Sequence, residues 1–82
     1  MKYLDCVEII VEKEKYAKEG VHKGMQGVIW LEECIDGEWD VFFDLLGDHT
    51  PIGDISIREE DLKLIPKMDA KVNERIKAEF GD

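Results

Sequence analysis

The sequence predicts a mainly β domain in which five short strands form a small barrel and one helix follows. Short stretches of alternating apolar and polar residues are typical of strands. An Asp36-Gly37 pair between two such stretches predicts a tight hairpin. Beyond Pro66 the apolar spacing changes to four residues, which indicates a helix. We therefore expect a barrel domain over residues 1–66 and a helix over residues 67–82 that packs on it.

The five predicted strands cover residues 5–12, 28–33, 38–45, 55–57 and 62–65. In the first strand, Val7, Ile9 and Val11 share one face. The second is apolar on both faces, so we expect it to be central and well covered. Pro66 lacks a backbone donor and ends the last strand.

The third strand has two distinct faces. Its inward side chains are Trp39, Val41 and Phe43, and its outward side chains are Asp40, Phe42 and Asp44. An outward aromatic residue between two acids is a candidate anchor for a protein partner. The alternative is that the C-terminal helix covers Phe42.

The connecting segments are predicted from glycine, proline and charge. Residues 13–27 form a long structured loop in which Gly20, Gly24 and Gly27 permit positive φ, and a helical turn or two within residues 11–19 is an alternative. Residues 46–54 form a second loop, and residues 58–61 form a charged tight turn.

The C-terminal helix has one apolar stripe on a polar background. Asp69 is placed to cap its start and Gly81 to end it. We expect the stripe to pack across an open end of the barrel. The stripe consists of Met68, Val72, Ile76 and Phe80.

The charge of the chain argues against nucleic acid as a partner. The net charge is -9, and residues 36–61 hold nine acids and one base, Arg58. Such a field repels phosphates and attracts basic proteins, although a merely solubilising surface is the alternative. The sequence has no apolar run long enough for a membrane span and no signal-peptide core, so we expect a cytoplasmic protein without a membrane partner.

The sequence offers little for catalysis. Cys6 and Cys34 have no Cys-x-x-Cys spacing, so we expect reduced thiols in or near the core. His22 and His49 have no third ligand at a zinc spacing, and we expect both in exposed loops. No nucleophile and base stand together, so we expect neither an enzyme nor a bound metal or cofactor.

A family resemblance rests on residues 5–65. The segment Val21-His22-Lys23-Gly24-Met25-Gln26-Gly27-Val28-Ile29, followed by residues 39–43, resembles the Gly-x-x-Gly-x-Val core of KOW-type modules and of small bacterial SH3-like proteins. The resemblance implies a five-stranded SH3-like barrel that binds another protein. Where SH3 domains place a proline and a tyrosine of their peptide groove, this chain has residues 58–61, Arg-Glu-Glu-Asp, so we do not expect proline-rich ligands.

Two functions follow as hypotheses. The first is an interaction module that is a monomer or weak homodimer and binds a partner, possibly basic, around Tyr16, His22, Trp39, Phe42, Asp40 and Asp44. The second is an acidic immunity-type inhibitor that neutralises a basic enzyme such as a nuclease. Its phosphate-mimicking acids are Asp36, Glu38, Asp40, Asp44 and Asp48.

Overall fold

A computed structural model describes residues 1–44 and 52–80 of the chain. The strands are β1 (Cys6–Ile9), β2 (Gln26–Ile29), β3 (Glu38–Phe43), β4 (Gly53–Arg58) and β5 (Leu62–Ile65). One short helix, α1 (Glu14–Ala17), lies between β1 and β2, a 3-10 turn (Glu59–Asp61) joins β4 to β5, and helix α2 (Ala70–Phe80) follows. The mainly β fold with a C-terminal helix is thus confirmed.

The five strands form one antiparallel sheet in the order β4-β3-β2-β1-β5. β1 lies between β2 and β5, with Cys6 opposite both Val28 and Ile65. Within the described residues β4 and β5 do not pair, so the sheet is not closed into a barrel.

The inner face of the sheet forms the core. Trp39, Val41 and Phe43 are buried, as predicted, and Trp39 lies opposite the buried Ile57 of β4. Successive residues of a strand face opposite sides of the sheet. Only every second residue of β3 therefore lies on the buried face. The other strands and the long loop add Val7, Ile9, Tyr16, Val21, Met25, Ile29 and Leu62 to the core.

The Asp36-Gly37 turn is confirmed. Both residues have positive φ, 53° and 79°, and the backbones of Ile35 and Glu38 exchange two hydrogen bonds across them. This is the geometry that a primed two-residue hairpin requires.

The prediction that the second strand is covered on both faces is wrong. β2 ends at Ile29, and the Trp30 side chain is 47% exposed. Ile29 faces the core, so its neighbour Trp30 must face outward. Since the sheet has a core on one side only, the outer face of β2 stays open.

Gly24 and Gly27, two of the three glycines in the predicted long loop, are needed for different reasons. Gly24 has a φ of 93°, as predicted. The expectation of positive φ is wrong for Gly27, where a Cβ atom would lie 2.7 Å from the carbonyl oxygen of Phe42. Gly27 therefore lets β2 and β3 approach each other closely.

Helix α2 packs at the end of the sheet where β2 begins. Asp69 Oδ1 accepts a hydrogen bond from the Lys71 amide at 2.9 Å, which confirms the predicted cap. Ile76 is buried, and its Cδ1 lies 3.1 Å from where a Cβ on Gly24 would be. Phe80 is mostly exposed at the far end, and Gly81 lies outside the described residues.

A polar side chain of α2, Asn73, is fully buried at the helix–sheet contact. Its Oδ1 accepts from the Gln26 amide at 2.6 Å, and its Nδ2 donates to the carbonyl oxygens of Gln26 and Asp44 at 2.7 and 2.9 Å. Val28 pairs with Phe42, so continuing this register by two residues places Gln26 opposite Asp44 at the end of the β2–β3 ladder. Asn73 thus supplies the hydrogen bonds where that ladder ends.

Candidate functional site

The outer face of the sheet carries an apolar groove of about 500 Å³. Its apolar walls come from β2 and β3, from the residue that follows β2, and from the segments that precede β1 and α2. Two carboxylates lie at its rim. The lining residues are Leu4, Val28, Trp30, Phe42, Asp44, Asp54 and Met68.

Three aromatic rings form a row, and two of them, Trp30 and Phe42, line the groove. The Tyr3 and Trp30 centroids are 5.6 Å apart, and the Trp30 and Phe42 centroids are 6.1 Å apart, with tilted rings in both pairs. Tyr3 and Trp30 are about half exposed, whereas Phe42 is half-buried. Tilted aromatic contacts at this range are favourable and hold the rings in place before any ligand arrives.

Leu4 enters the groove from a strained turn. Its φ is 71°, a left-handed backbone conformation that residues with a Cβ rarely adopt. Two hydrogen bonds hold the turn. The Lys2 amide donates to Asp5 Oδ2 at 2.9 Å, and the Leu4 amide donates to the Ile29 carbonyl oxygen at 2.8 Å. The Leu4 side chain nevertheless remains 54% exposed. The backbone thus fixes an apolar side chain at the surface.

Carboxylates surround Phe42 on the outer face. Asp54 of β4 lies directly opposite Phe42, and Asp40 precedes Phe42 by two residues on the same side of β3. Burial, and then the charge of Asp54, raises the pKa of Asp40. The two acids therefore act on each other as like charges beside the aromatic row.

Phe42, Asp40 and Asp44 occupy the outward positions predicted for them. Helix α2 packs on the opposite end of β2, and from the helical side only Met68, in the segment before α2, reaches the groove among the described residues. The alternative that the helix covers Phe42 is therefore wrong.

Tyr16 and Trp39 are core residues, so their predicted place on an interaction surface is wrong. Tyr16 is 1% exposed and donates to Asp61 Oδ2 at 2.6 Å, while its hydroxyl oxygen accepts from the Arg58 amide at 3.1 Å. Trp39 donates from Nε1 to Glu59 Oε2 at 2.9 Å. Both rings supply apolar volume to the core and direct one polar atom to the segment around the 3-10 turn.

The Asp61 carboxylate is the centre of this buried network. Lys13 Nζ lies 2.7 Å from Asp61 Oδ2, the atom that Tyr16 also contacts. Burial opposes ionisation of Asp61, but the hydrogen bonds from Lys13 and Tyr16 outweigh it and lower the pKa of Asp61. Burial and the bond to Asp61 raise the pKa of Tyr16 to about 12. The network joins α1, β4 and the 3-10 turn.

His22 is 5% exposed, so the prediction of an exposed loop histidine is wrong. Its Nδ1 lies 2.8 Å from Glu12 Oε2, and its ring stacks on Phe80 at 3.7 Å between centroids with a 6° angle. The long loop folds back over the sheet, and the end of α2 then covers it. His49, the other predicted loop histidine, lies outside the described residues.

The acids proposed for an inhibitor are spread along β3 and its turn. Asp36 is exposed at the hairpin tip, and Glu38 lies opposite Arg58. Asp40 and Asp44 are on the groove side, and Asp48 is not among the described residues. No group of three potential metal ligands occurs in residues 1–44 and 52–80. Cys6 and Cys34 are free and half-buried.

The sequence reasoning missed Tyr3, Leu4, Trp30 and Asp54 as site residues. Strand alternation contained the signal for Trp30, because Ile29 points inward. The signal for Asp54 was the expected pairing of the third and fourth strands. In that antiparallel pair Asp54 lies opposite Phe42. The left-handed Leu4 has no comparable signal.

Comparison with protein-family models, with curated proteins and with solved structures returns no match to this chain. Among the helices of residues 1–44 and 52–80, none is long and apolar enough to cross a membrane.

Proposed function

We propose that this chain is a non-enzymatic, SH3-like protein-binding module and that its binding site is the groove on the outer face of the sheet. The observation that carries the proposal is the row of Tyr3, Trp30 and Phe42, which is open to solvent and bordered by carboxylates. Protein interfaces are enriched in such aromatic anchors inside a polar rim.

The strand order supports the SH3-like assignment. β1 is an inner strand that hydrogen-bonds to both β2 and β5, while β2, β3 and β4 follow as a meander. Inward side chains from all five strands meet in one core cluster, as expected for a strongly curled sheet. Residues 30–37 connect β2 to β3 and end in the tight Asp36-Gly37 turn, so the connection is longer than the tight hairpin expected from the sequence but keeps its turn.

Exposure of the groove supports a binding role over a packing role. Leu4 and Trp30 each leave about half of their surface in water, although each is held in place by backbone or ring contacts. A partner that covers both side chains gains apolar burial at about 25 cal/mol per Å² without first ordering them. Preformed anchors of this kind are typical of energetic centres in interfaces.

The chemistry of the groove supports binding rather than catalysis. Its polar groups are carboxylates, whereas the histidine–carboxylate pair of His22 and Glu12 lies under the Phe80 ring at the end of α2. The net charge of -9 favours a basic protein partner over nucleic acid. We place the module in the cytoplasm, as a monomer or weak homodimer.

A second candidate function is the acidic inhibitor of a basic enzyme, which the adjacent Asp40 and Asp54 favour. Ionic strength separates the two functions. An inhibitor bound mainly through charge loses most of its affinity between about 50 and 200 mM salt, whereas a partner anchored on the aromatic row keeps most of it.

The proposed function is tested with a phage-displayed library of random dodecapeptides selected on the full chain. We expect binders that shift Trp30 fluorescence to the blue, since Trp39 is already buried. Leu4→Ala is expected to weaken these binders about fivefold to tenfold through lost apolar contact. The matched control is Leu64→Ala on β5, because Leu64 is 56% exposed and does not line the groove.

Two results would contradict the proposal. One is a selection that yields no binder. The other is a set of binders that Leu4→Ala and Leu64→Ala affect equally, because their site would then lie outside the groove.

A further inference from the structure

We infer that the groove recognises an extended protein segment that places a large apolar side chain on Trp30 and Phe42 and a Lys or Arg side chain on the carboxylates of Asp40 and Asp54. This inference rests on the proposed function and specifies the chemistry of the partner.

The apolar half of the recognition follows from the groove walls. Trp30, Phe42, Leu4 and Met68 line a space of about 500 Å³ that is bounded mainly by carbon atoms. Such a space is large enough for an aromatic or a large aliphatic side chain. The acids lie at the rim, so an apolar group enters without burying a charge.

The basic half follows from the two acids beside Phe42. Asp54 lines the groove opposite Phe42, and Asp40 lies diagonally from it on the neighbouring strand. Burial, and then the charge of Asp54, raises the pKa of Asp40, so a cation between the two carboxylates would relieve their repulsion. A Lys or Arg of the partner is such a cation, and charge complementarity therefore selects a basic segment.

The charged side chains around Asp40 and Asp54 bear on whether a cation of a partner can bind between these two carboxylates. Arg58 follows Asp54 and Ser56 on the same side of β4, but its Nε is 2.6 Å from Glu60 Oε1. Lys15 of α1 lines a second pocket together with Asp54, and its Nζ lies 5.2 Å from the centre of the Tyr16 ring. Asp44 and Glu38, the remaining charged groups on this face of β3, add negative charge. The face as a whole is therefore acidic.

Strand geometry sets the spacing within the partner segment. Asp40 and Phe42 are two residues apart on one strand, which corresponds to about 7 Å along β3. Alternate side chains of an extended segment share a face and have the same spacing. The preferred ligand therefore has a Lys or Arg two positions from its apolar anchor. A second copy of this chain is disfavoured, since two molecules of net charge -9 repel each other.

The test uses the peptides selected from the dodecapeptide library. We expect enrichment of Lys or Arg two positions from an aromatic or large aliphatic residue. Asp40→Asn and Asp54→Asn are each expected to weaken the best peptide about threefold to tenfold at low salt. Glu79→Gln removes the same charge from an exposed site near the end of α2 and is expected to change the affinity less than about twofold.

A peptide with norleucine in place of its base provides the complementary measurement. It is expected to bind more weakly to the wild-type chain and to lose its sensitivity to Asp40→Asn and Asp54→Asn. Such a double-mutant cycle isolates the cation–carboxylate contact from other effects of each change. Thermal unfolding of both variants shows that the comparison is made on folded protein.

The outcomes separate this inference from the proposed function. Binders that depend on Leu4 but lack an enriched base, or that ignore both Asp→Asn changes, overturn the inference and leave the binding module standing. Absence of any Leu4-dependent binder overturns both. Self-association of the chain through the groove, seen by sedimentation and abolished by Leu4→Ala, would assign the groove to a second copy and also overturn the inference.

Discussion

Removal of one buried hydroxyl group, in Tyr16→Phe, tests the network that ties α1 to the sheet. The hydroxyl donates to the Asp61 carboxylate and accepts from the Arg58 amide, and its residue is fully buried. A hydrogen bond to a charged group contributes about 1.5–3 kcal/mol, and a backbone amide left without a partner adds about 1 kcal/mol. We therefore expect the free energy of unfolding to fall by about 2–4 kcal/mol.

Urea unfolding followed by Trp fluorescence measures this change. A slope near 1 kcal/mol/M, usual for a small domain, converts the loss into a midpoint lower by about 2–4 M. Tyr3→Phe is the matched control, since Tyr3 is 42% exposed and no hydrogen bond of its hydroxyl enters the network. If Tyr16→Phe and Tyr3→Phe unfold within about 0.5 kcal/mol of each other, the reasoning about the buried network is refuted.

The same hydroxyl predicts how stability changes in alkali. The pKa of Tyr16 is about 12 in the folded chain, against an ordinary value of 10.0. The unfolded chain therefore loses this proton first, and the contribution of Tyr16 is complete below pH 10.0 and disappears as the pH rises toward about 12. Tyr16→Phe is expected to flatten this part of the stability profile, and an unchanged slope would contradict the assignment.

Three further changes have defined expected outcomes. Gly27→Ala places a Cβ 2.7 Å from the Phe42 carbonyl and is expected to lower the free energy of unfolding by about 1–3 kcal/mol, as measured by urea titration. Asn73→Ala leaves the Gln26 amide and two carbonyls without their partner, and its expected loss of about 2–4 kcal/mol should appear with faster amide exchange at Gln26. Because the pKa of Asp61 is lowered, its stabilisation is complete above pH 3.8 and is lost below it, so midpoints should fall in acid; a midpoint independent of pH there would contradict this.

Local rules account for the parts of the fold that were predicted well. The Asp36-Gly37 turn and β5 (Leu62–Ile65) were expected from turn chemistry, alternation and the following proline. The inward faces of β1 and β3 followed from the two-residue period. These features depend on residues that are neighbours in the sequence, so the sequence displays them directly.

Long-range contacts account for what the sequence analysis missed. The hydroxyl of the buried Tyr16 finds its hydrogen-bond acceptor in Asp61, 45 positions away. The buried Asn73 finds its partners at the end of the β2–β3 ladder. His22 is covered by Phe80 from the other end of the chain. In each case the deciding partner belongs to a different element, and local composition alone favours a loop or a solvated face.

The candidate site was predicted at Phe42 and its flanking acids, and the structure extends it to further residues. Phe42 and its flanking acids could be placed on the outer face from alternation alone. Trp30 joins them because the core covers only one face of β2, and Leu4 joins them through a left-handed turn that its own residue type disfavours. A site built across separate segments has no single sequence motif.

The position of β1 between β2 and β5 has a consequence for the timing of assembly during synthesis. Its second neighbour, β5, is made more than fifty residues later, since Ile9 pairs with Leu62 and Cys6 with Ile65. In a nascent chain that has been synthesised only as far as β4, β1 is an edge strand with unpaired backbone groups. Such an edge can pair with other chains and promote aggregation until β5 is synthesised. Closure over so long a loop also slows refolding of the complete chain.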